Sequence, residues 1–251
     1  MQNKYKCLLN LSQNSILMKN LIVASTSTVH GQSYLEYLLD SVKELYSDTE
    51  EVLFIPYARP GGISHDEYTA KANEAFQSIG IKLRGIHTFE DPSAAICYAR
   101  GIFTGGGNTF VLVNALHRSK LMEPLREAIF NGIPYLGTSA GSNICGITMQ
   151  TTNDMPIVYP PSFKTLGVIP FNINPHYLDP DPGSTHMGET RETRIKEFHT
   201  RNSLPVVGLR EGSWLEVKGE HILLKGAHSA RVFQKNKDPF EIESGTEIDS
   251  L

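Results

Sequence analysis

Cysteine is scarce in this chain: Cys7, Cys97 and Cys145 are the only three in 251 residues and show no C-x-x-C spacing. Neither a disulfide framework nor a zinc ribbon is suggested by so few, so widely separated. No apolar run approaches the length of a membrane span, and no cluster of Lys or Arg offsets the net charge of −4. A membrane-integral protein and a nucleic-acid binder are therefore not expected. The first 19 residues lack both acidic residues and arginine and hold only the brief Cys7-Leu8-Leu9 run, too little for a secretory signal and the wrong composition for a transit peptide. A cytoplasmic protein is expected, with residues 1–17 a disordered extension and Met18 an alternative start.

What the chain does carry is a regular alternation of short apolar runs and amphipathic stretches. Leu21-Ile22-Val23-Ala24 reads as a strand, followed by Tyr34, Leu35, Leu38, Leu39, Val42 and Leu45 at helical spacing. A second strand over 52–55 stops at Pro56, and Asp66 is expected to cap a helix ending at Gly80. A third strand over 82–86, a helix opened by Asp91-Pro92, a fourth strand over 101–104, helices around 109–117 and 121–131, and a fifth strand over 133–136 continue the pattern. Such alternation predicts parallel pairing through right-handed crossovers: an α/β fold with a doubly wound, mostly parallel sheet flanked by helices. Beyond Thr151 the helices thin out. A strand leading to His176, a helix over 189–198 and a strand over 204–209 precede three short strands, over 214–217, 221–224 and 230–233, expected to add antiparallel to one sheet edge. Residues 18–240 are expected to form a single domain, fraying from about 236 into a polar tail over 241–251.

Two strand ends stand out, because functional loops of such sheets lie at the carboxyl ends of strands. Gly137-Thr138-Ser139-Ala140-Gly141 is a G-x-S-x-G sequence after the fifth strand. In a nucleophile elbow the serine occupies a strained strand-to-helix corner, and the residues two before and two after must lack side chains that would collide. The corner would lift Ser139 above the sheet and aim the Ala140 N–H at a developing oxyanion. Gly105-Gly106-Gly107-Asn108, after the fourth strand, can present bare N–H groups to an oxyanion or a phosphate, or serve only as a packing turn. It is no dinucleotide fingerprint, since Phe110 stands where the last glycine would be, and no P-loop lysine follows.

A serine hydroxyl is a weak nucleophile and requires a base that a third group orients. Of nine histidines, His176 is best placed, behind Pro175 at a strand end on the rim that carries Ser139. Two carboxylates compete to orient it. Asp154, in the Thr151-Thr152-Asn153-Asp154 turn, would give the order Ser, Asp, His, or could simply close an Asx turn. Glu211, after the strand over 204–209, would give Ser, His, Glu, and a strand terminus holds a side chain more firmly than a turn does.

Gly105-Gly106-Gly107-Asn108-Thr109-Phe110, Ser139-Ala140-Gly141, Thr151-Thr152-Asn153-Asp154-Met155-Pro156-Ile157-Val158, Ile173-Asn174-Pro175-His176, Gly188-Glu189-Thr190-Arg191-Glu192 and Glu211-Gly212-Ser213-Trp214 together resemble the peptidase E family of α-aspartyl dipeptidases. The resemblance spans about residues 18 to 235. It implies a serine peptidase with a fold similar to class I glutamine amidotransferases, acting on Asp-Xaa dipeptides without metal or cofactor, as a monomer or homodimer. Ser139 matches the nucleophile and His176 the base. The third member has been assigned both to the residue matching Asp154 and to that matching Glu211. Gly107 and Ala140 would supply the oxyanion N–H groups. The chain departs from the family pattern at Thr138, where bacterial members carry tryptophan, and at Arg210, where proline is familiar; Arg210 could support the Glu211 carboxylate or compete for its hydrogen bonds. A substrate aspartate needs a paired cation, for which Arg191 is the first candidate, with Arg194 and Arg59 behind it. Asp154 would then suit the substrate's ammonium. A hydrolase of β-aspartyl or cyanophycin-type peptides, and a non-catalytic binding protein on the same scaffold, are the alternatives.

Overall fold

A computed structural model of the chain describes residues 19–181, 183, 185, 187–248 and 251, so the expected extension 1–17, Met18 and His186 lie outside the described residues. The first strand shows the two-sided burial of a central strand. In β1 (Asn20–Ala24), Leu21 and Val23 enter one core cluster and Ile22 and Ala24 the other. β2 (Glu51–Ile55), β3 (Lys82–Gly85), β4 (Ile102–Thr104) and β5 (Tyr135–Thr138) join it in parallel, in the order β3-β2-β4-β5-β1. On one face α1 (Leu39–Leu45) and α2 (His65–Gln77) bury Val42, Leu45, Tyr68 and Phe76. On the other, α3 (Pro92–Tyr98), α4 (Thr109–Arg118) and α5 (Met122–Phe130) bury Ile96, Leu112, Leu116 and Leu125. The expected doubly wound arrangement is present.

Several local expectations shift. Ser64, not Asp66, caps α2: its hydroxyl accepts from Glu67 N at 3.1 Å while Glu67 accepts from Ser64 N at 2.7 Å, a reciprocal pair that Asp66 cannot make from inside the helix. β5 extends through Gly137 and Thr138, because both pair with β1. After residue 150 the topology departs further. β6 (Asn172–Pro175) and β7 (Val206–Leu209), linked by α7 (Arg191–Arg201), run parallel but belong to a second sheet. β8 (Ser213–Lys218) and β9 (His221–Gly226) extend the first sheet antiparallel beyond β1, as expected.

β10 (Ala230–Phe233) does not join that edge; it pairs antiparallel with β7. Gly226, at φ 107°, turns the chain tightly against Gly212, where a Cβ would lie 2.3 Å from the Gly212 carbonyl, and β10 is thereby delivered to the second sheet. The stretch after 236 is not frayed either. β11 (Phe240–Ile242) pairs with β10, and buried Ile248 donates its N–H to Ile222 O at 2.7 Å. Val207, Leu209 and Val232 of the second sheet share a core cluster with Leu21 and Val23 of the first. Among the described residues no helix is long and apolar enough to cross a membrane. Cys145 is a buried free thiol, whereas Cys97 is disulfide-bonded, a pairing of which the cysteine spacing carries no sign.

Candidate active site

Ser139 follows β5 directly and precedes the short helix α6 (Ala140–Asn143), at φ 54° and ψ −110°. That backbone is strained for any residue with a Cβ, and the glycines around it explain why the strain can be accommodated. A Cβ on Gly137 would lie 2.4 Å from Gly141 O, and one on Gly141 would lie 2.1 Å from Thr104 O. Both are therefore required by close backbone approach, as the elbow reading predicts. Ser139 N donates to Ala24 O at 3.1 Å, and Ser142 Oγ sits 2.6 Å from Ala24 O and 2.7 Å from Gly137 O, which staples the corner to β1.

His176 follows β6 with its own backbone at φ 52°. Its Nε2 lies 2.9 Å from Ser139 Oγ and its Nδ1 lies 2.6 Å from Glu211 Oε1. An ionised carboxylate can only accept, so Nδ1 carries the proton and Nε2 is left to accept from the serine hydroxyl. Glu211 arrives from the end of β7, past Arg210, and both the imidazole and the carboxylate are half-exposed. Burial, with the Glu211 charge adding to it, raises the hydroxyl of neighbouring Tyr37.

Asp154 is not at the imidazole. Its Oδ2 accepts from Thr109 N at 2.7 Å and from Thr152 Oγ1 at 3.0 Å, so it binds the first N–H of α4, which Asn108 caps, and closes its own turn. The rest of that turn props β6: Thr151 Oγ1 donates to Ile173 O at 2.8 Å, and Asn153 Nδ2 to Pro175 O at 2.6 Å. Asp154 and its neighbours thus lie beneath the strand that ends at His176. Arg210, for its part, neither supports nor competes with Glu211. Its guanidinium forks onto Asp179 at 2.7 and 2.8 Å and onto Glu241 at 2.8 and 3.1 Å.

Ala140 follows the serine directly, and Gly107 belongs to the glycine loop that abuts it. Gly107 has φ 147° and sits against Ala58, whose carbonyl oxygen would be 2.3 Å from an added Cβ. Gly106 abuts Ser139, whose Cβ is 2.9 Å from the position of its missing Cβ. Among the described residues, no acceptor engages the N–H groups of Gly107 or Ala140. Arg191 opens α7 behind the capping Thr190 and lines a cavity of about 680 Å³ together with His176, Arg210, Glu211 and His228. Burial, then the like charge of Arg194, lowers the Arg191 pKa, while Asp154 opposes the shift. Arg194 pairs with Glu189 at 3.7 Å, and Arg59 stacks on the Tyr68 ring 4.6 Å from its centroid. No grouping of three or more His, Cys, Asp or Glu able to hold a metal ion occurs among the described residues.

One residue at the centre of this arrangement has no motif. Ser25, fully buried at the end of β1, donates to Leu209 O at 2.6 Å and accepts from His176 N at 2.9 Å, so it ties the β6 and β7 ends to the first sheet. Its position just past the 21–24 run places it on the functional rim, a signal too common in sequences to single it out.

The sequence model of Peptidase family S51 matches residues 21–225. The chain is 50% identical over 232 residues to Peptidase E of Streptomyces coelicolor, covering 92% of this chain and 94% of that protein. It is 47% identical over 219 residues to a Drosophila melanogaster protein named "Probable alpha-aspartyl dipeptidase", covering 86% and 90%. A crystal structure of a peptidase from an acI-B1 actinobacterium has the same fold, with a TM-score of 0.67 at 15% identity over 93% of this chain and 97% of the other.

Proposed function

The chain belongs to peptidase family S51, and from that membership we propose that it hydrolyses dipeptides with an N-terminal aspartate by acyl transfer through Ser139. The observation that carries this reading is the continuous set of hydrogen bonds from Ser139 Oγ through His176 to Glu211 on a strained serine. Ser139 attacks the peptide carbonyl while His176 Nε2 takes its proton. The tetrahedral oxyanion is held by the N–H groups of Gly107 and Ala140. Collapse expels the amine of Xaa, which receives the proton from His176, and water then enters by the same route to release aspartate. Glu211 fixes the imidazole tautomer and stabilises the imidazolium that forms.

Arg191 is the partner proposed for the substrate's aspartyl carboxylate. Its support is its place in the cavity beside His176 and Glu211, and the partial burial that makes an unpaired guanidinium unfavourable. Asp154, close enough to act on Arg191, is proposed to receive the substrate's ammonium. The two carboxylates that compete in the sequence would then have separate duties.

The test uses the purified full chain and a panel of Xaa-Leu dipeptides together with β-Asp-Arg. Asp-Leu is expected to be cleaved in preference to all others, and Ser139→Ala is expected to lower kcat by on the order of 10⁴ or more with the fold intact. Equal cleavage of Ala-Leu, preference for β-Asp-Arg, or retained activity in the Ser139→Ala protein would each sink the proposal.

A further inference from the structure

Each of the three glycines at 105–107 is dictated by a different neighbour. An added Cβ would lie 2.5 Å from the Tyr68 hydroxyl at Gly105, 2.9 Å from Ser139 Cβ at Gly106 and 2.3 Å from Ala58 O at Gly107. The loop is therefore wedged between Tyr68 on one side and the nucleophile on the other. Its two ends are fastened by backbone, Gly105 N to Ile55 O at 3.2 Å and Asn108 N to Ala58 O at 2.7 Å. Among the described residues the peptide between Gly106 and Gly107 has no such backbone tie, and in a glycine pair it is the unit most free to rotate.

A side chain holds it. Tyr68, from α2, has no exposed surface and donates its hydroxyl to Gly106 O at 3.1 Å. In a trans peptide the carbonyl and the following N–H point in opposite directions, so anchoring Gly106 O toward Tyr68 aims Gly107 N–H away from it. Ser139 abuts the same loop, its Cβ 2.9 Å from the position a Gly106 Cβ would take. We propose that Tyr68 is a positioning residue that sets the oxyanion donor by locking the Gly106–Gly107 peptide. The proposal rests on the acyl-transfer reading above.

Two features equip Tyr68 for this. Phe54 packs edge-on against its ring at a centroid distance of 5.1 Å and 80°, which leaves the ring no room to swing. The Arg59 guanidinium lies over the ring at 4.6 Å, and a cation on the π-face draws electron density from the phenol and makes its O–H a stronger donor. Arg59 Nε is itself buried without a hydrogen-bond partner among the described residues, which leaves the ring as a principal contact of this cation. An oxyanion hole accelerates reaction only if its donors are fixed before charge develops. Tyr68 supplies that fixation from the buried side, without touching substrate.

The experiment compares the wild-type chain with Tyr68→Phe and Arg59→Met. Removal of the hydroxyl is expected to lower kcat for Asp-Leu about tenfold, a fraction of what loss of a donor itself costs. KM should stay within about twofold, and the pH profile of kcat/KM should not move, because His176 and Glu211 are untouched. Affinity for an aspartyl boronate that forms a tetrahedral adduct on Ser139 should fall by the same factor as kcat, with affinity for free aspartate unchanged. Arg59→Met keeps the hydroxyl and should lose about threefold in kcat in the same pattern, which decides the matter if Tyr68→Phe does not fold. Wild-type kcat in the Phe variant, or equal losses for boronate and aspartate, would overturn the proposal. A wild-type chain that neither cleaves Asp-Leu nor takes up the boronate would overturn the acyl-transfer reading beneath it as well.

Discussion

The two banks of the site are built in opposite ways. The serine bank is held by close packing: Gly137, Gly141 and Gly105–Gly107 meet neighbouring main chain, Tyr68 or Ser139 at distances that admit no Cβ, and Thr138, Ser142 and Tyr68 around them have no exposed surface. The histidine bank, with Glu211 and Arg191, stands at the end of the second sheet and is partly exposed. Salt bridges tie its surroundings together, from Asp179 through Arg210 to Glu241, and on through Arg231 to Glu192 and Lys196. The difference follows from the chemistry required of each. A donor that must meet a developing charge gains from rigid, dry packing, whereas groups that carry protons and bind a charged substrate need solvated charge that stays ionised. Ser25 is a seam: its backbone continues β1 of the first sheet, while its hydroxyl is bonded to Leu209 O and His176 N of the second.

The comparison can be broken most severely at Glu211. Glu211→Gln should lower kcat by about 10²–10⁴ with KM little changed, because an amide no longer fixes the imidazole tautomer or stabilises its cation. Asp154→Asn should instead raise KM and leave kcat largely intact; steady-state kinetics on Asp-Leu separates the two. At the seam, Ser25→Ala leaves Leu209 O and His176 N without a partner and should cost about 1–3 kcal/mol in urea unfolding. It should also lower kcat, since the two banks lose their common fastener.

The smallest effect belongs to the ion network. Arg210, first among the causes, holds the Glu241 carboxyl down to about 2 and also lowers that of Asp179. A carboxyl depressed on folding contributes stability that is complete above the ordinary carboxylate range and disappears as pH falls toward about 2. Arg210→Met should lower Tm by about 2–4 °C at neutral pH, with the gap from wild type closing between about pH 5 and pH 2. A gap that persists unchanged at pH 2 would show that Arg210 acts by packing rather than by charge.

The first five strands and their helices are legible in the sequence because each carries a local signal: an apolar run, a helical period, a cap or a glycine stop. The same holds for Ser139 and for the glycines that flank it. Where the reading slips, a long-range contact decided the outcome. β10 reads as a third antiparallel strand on the first sheet, but its place on β7 depends on how Gly226 meets Gly212, some fourteen residues back along the chain. In the sequence Asp154 has the order Ser, Asp, His and Glu211 the firmer strand terminus, and only the path of β6 and β7 brings one of them to His176.

Tyr68 is an unremarked aromatic on the buried face of a polar helix, and nothing in its neighbourhood of the sequence connects it to Gly106, thirty-eight residues away. The sequence by itself determined the alternating α/β framework, the serine at its strained corner and the glycine run beside it, because those are set by interactions among near neighbours and by the steric limits of the backbone. The tertiary structure alone decided which carboxylate meets the histidine, that Arg210 turns away from it, and that the Tyr68 hydroxyl reaches Gly106 O. Those choices are contacts between segments far apart in the chain, fixed only once two sheets are packed and their strand ends share one rim.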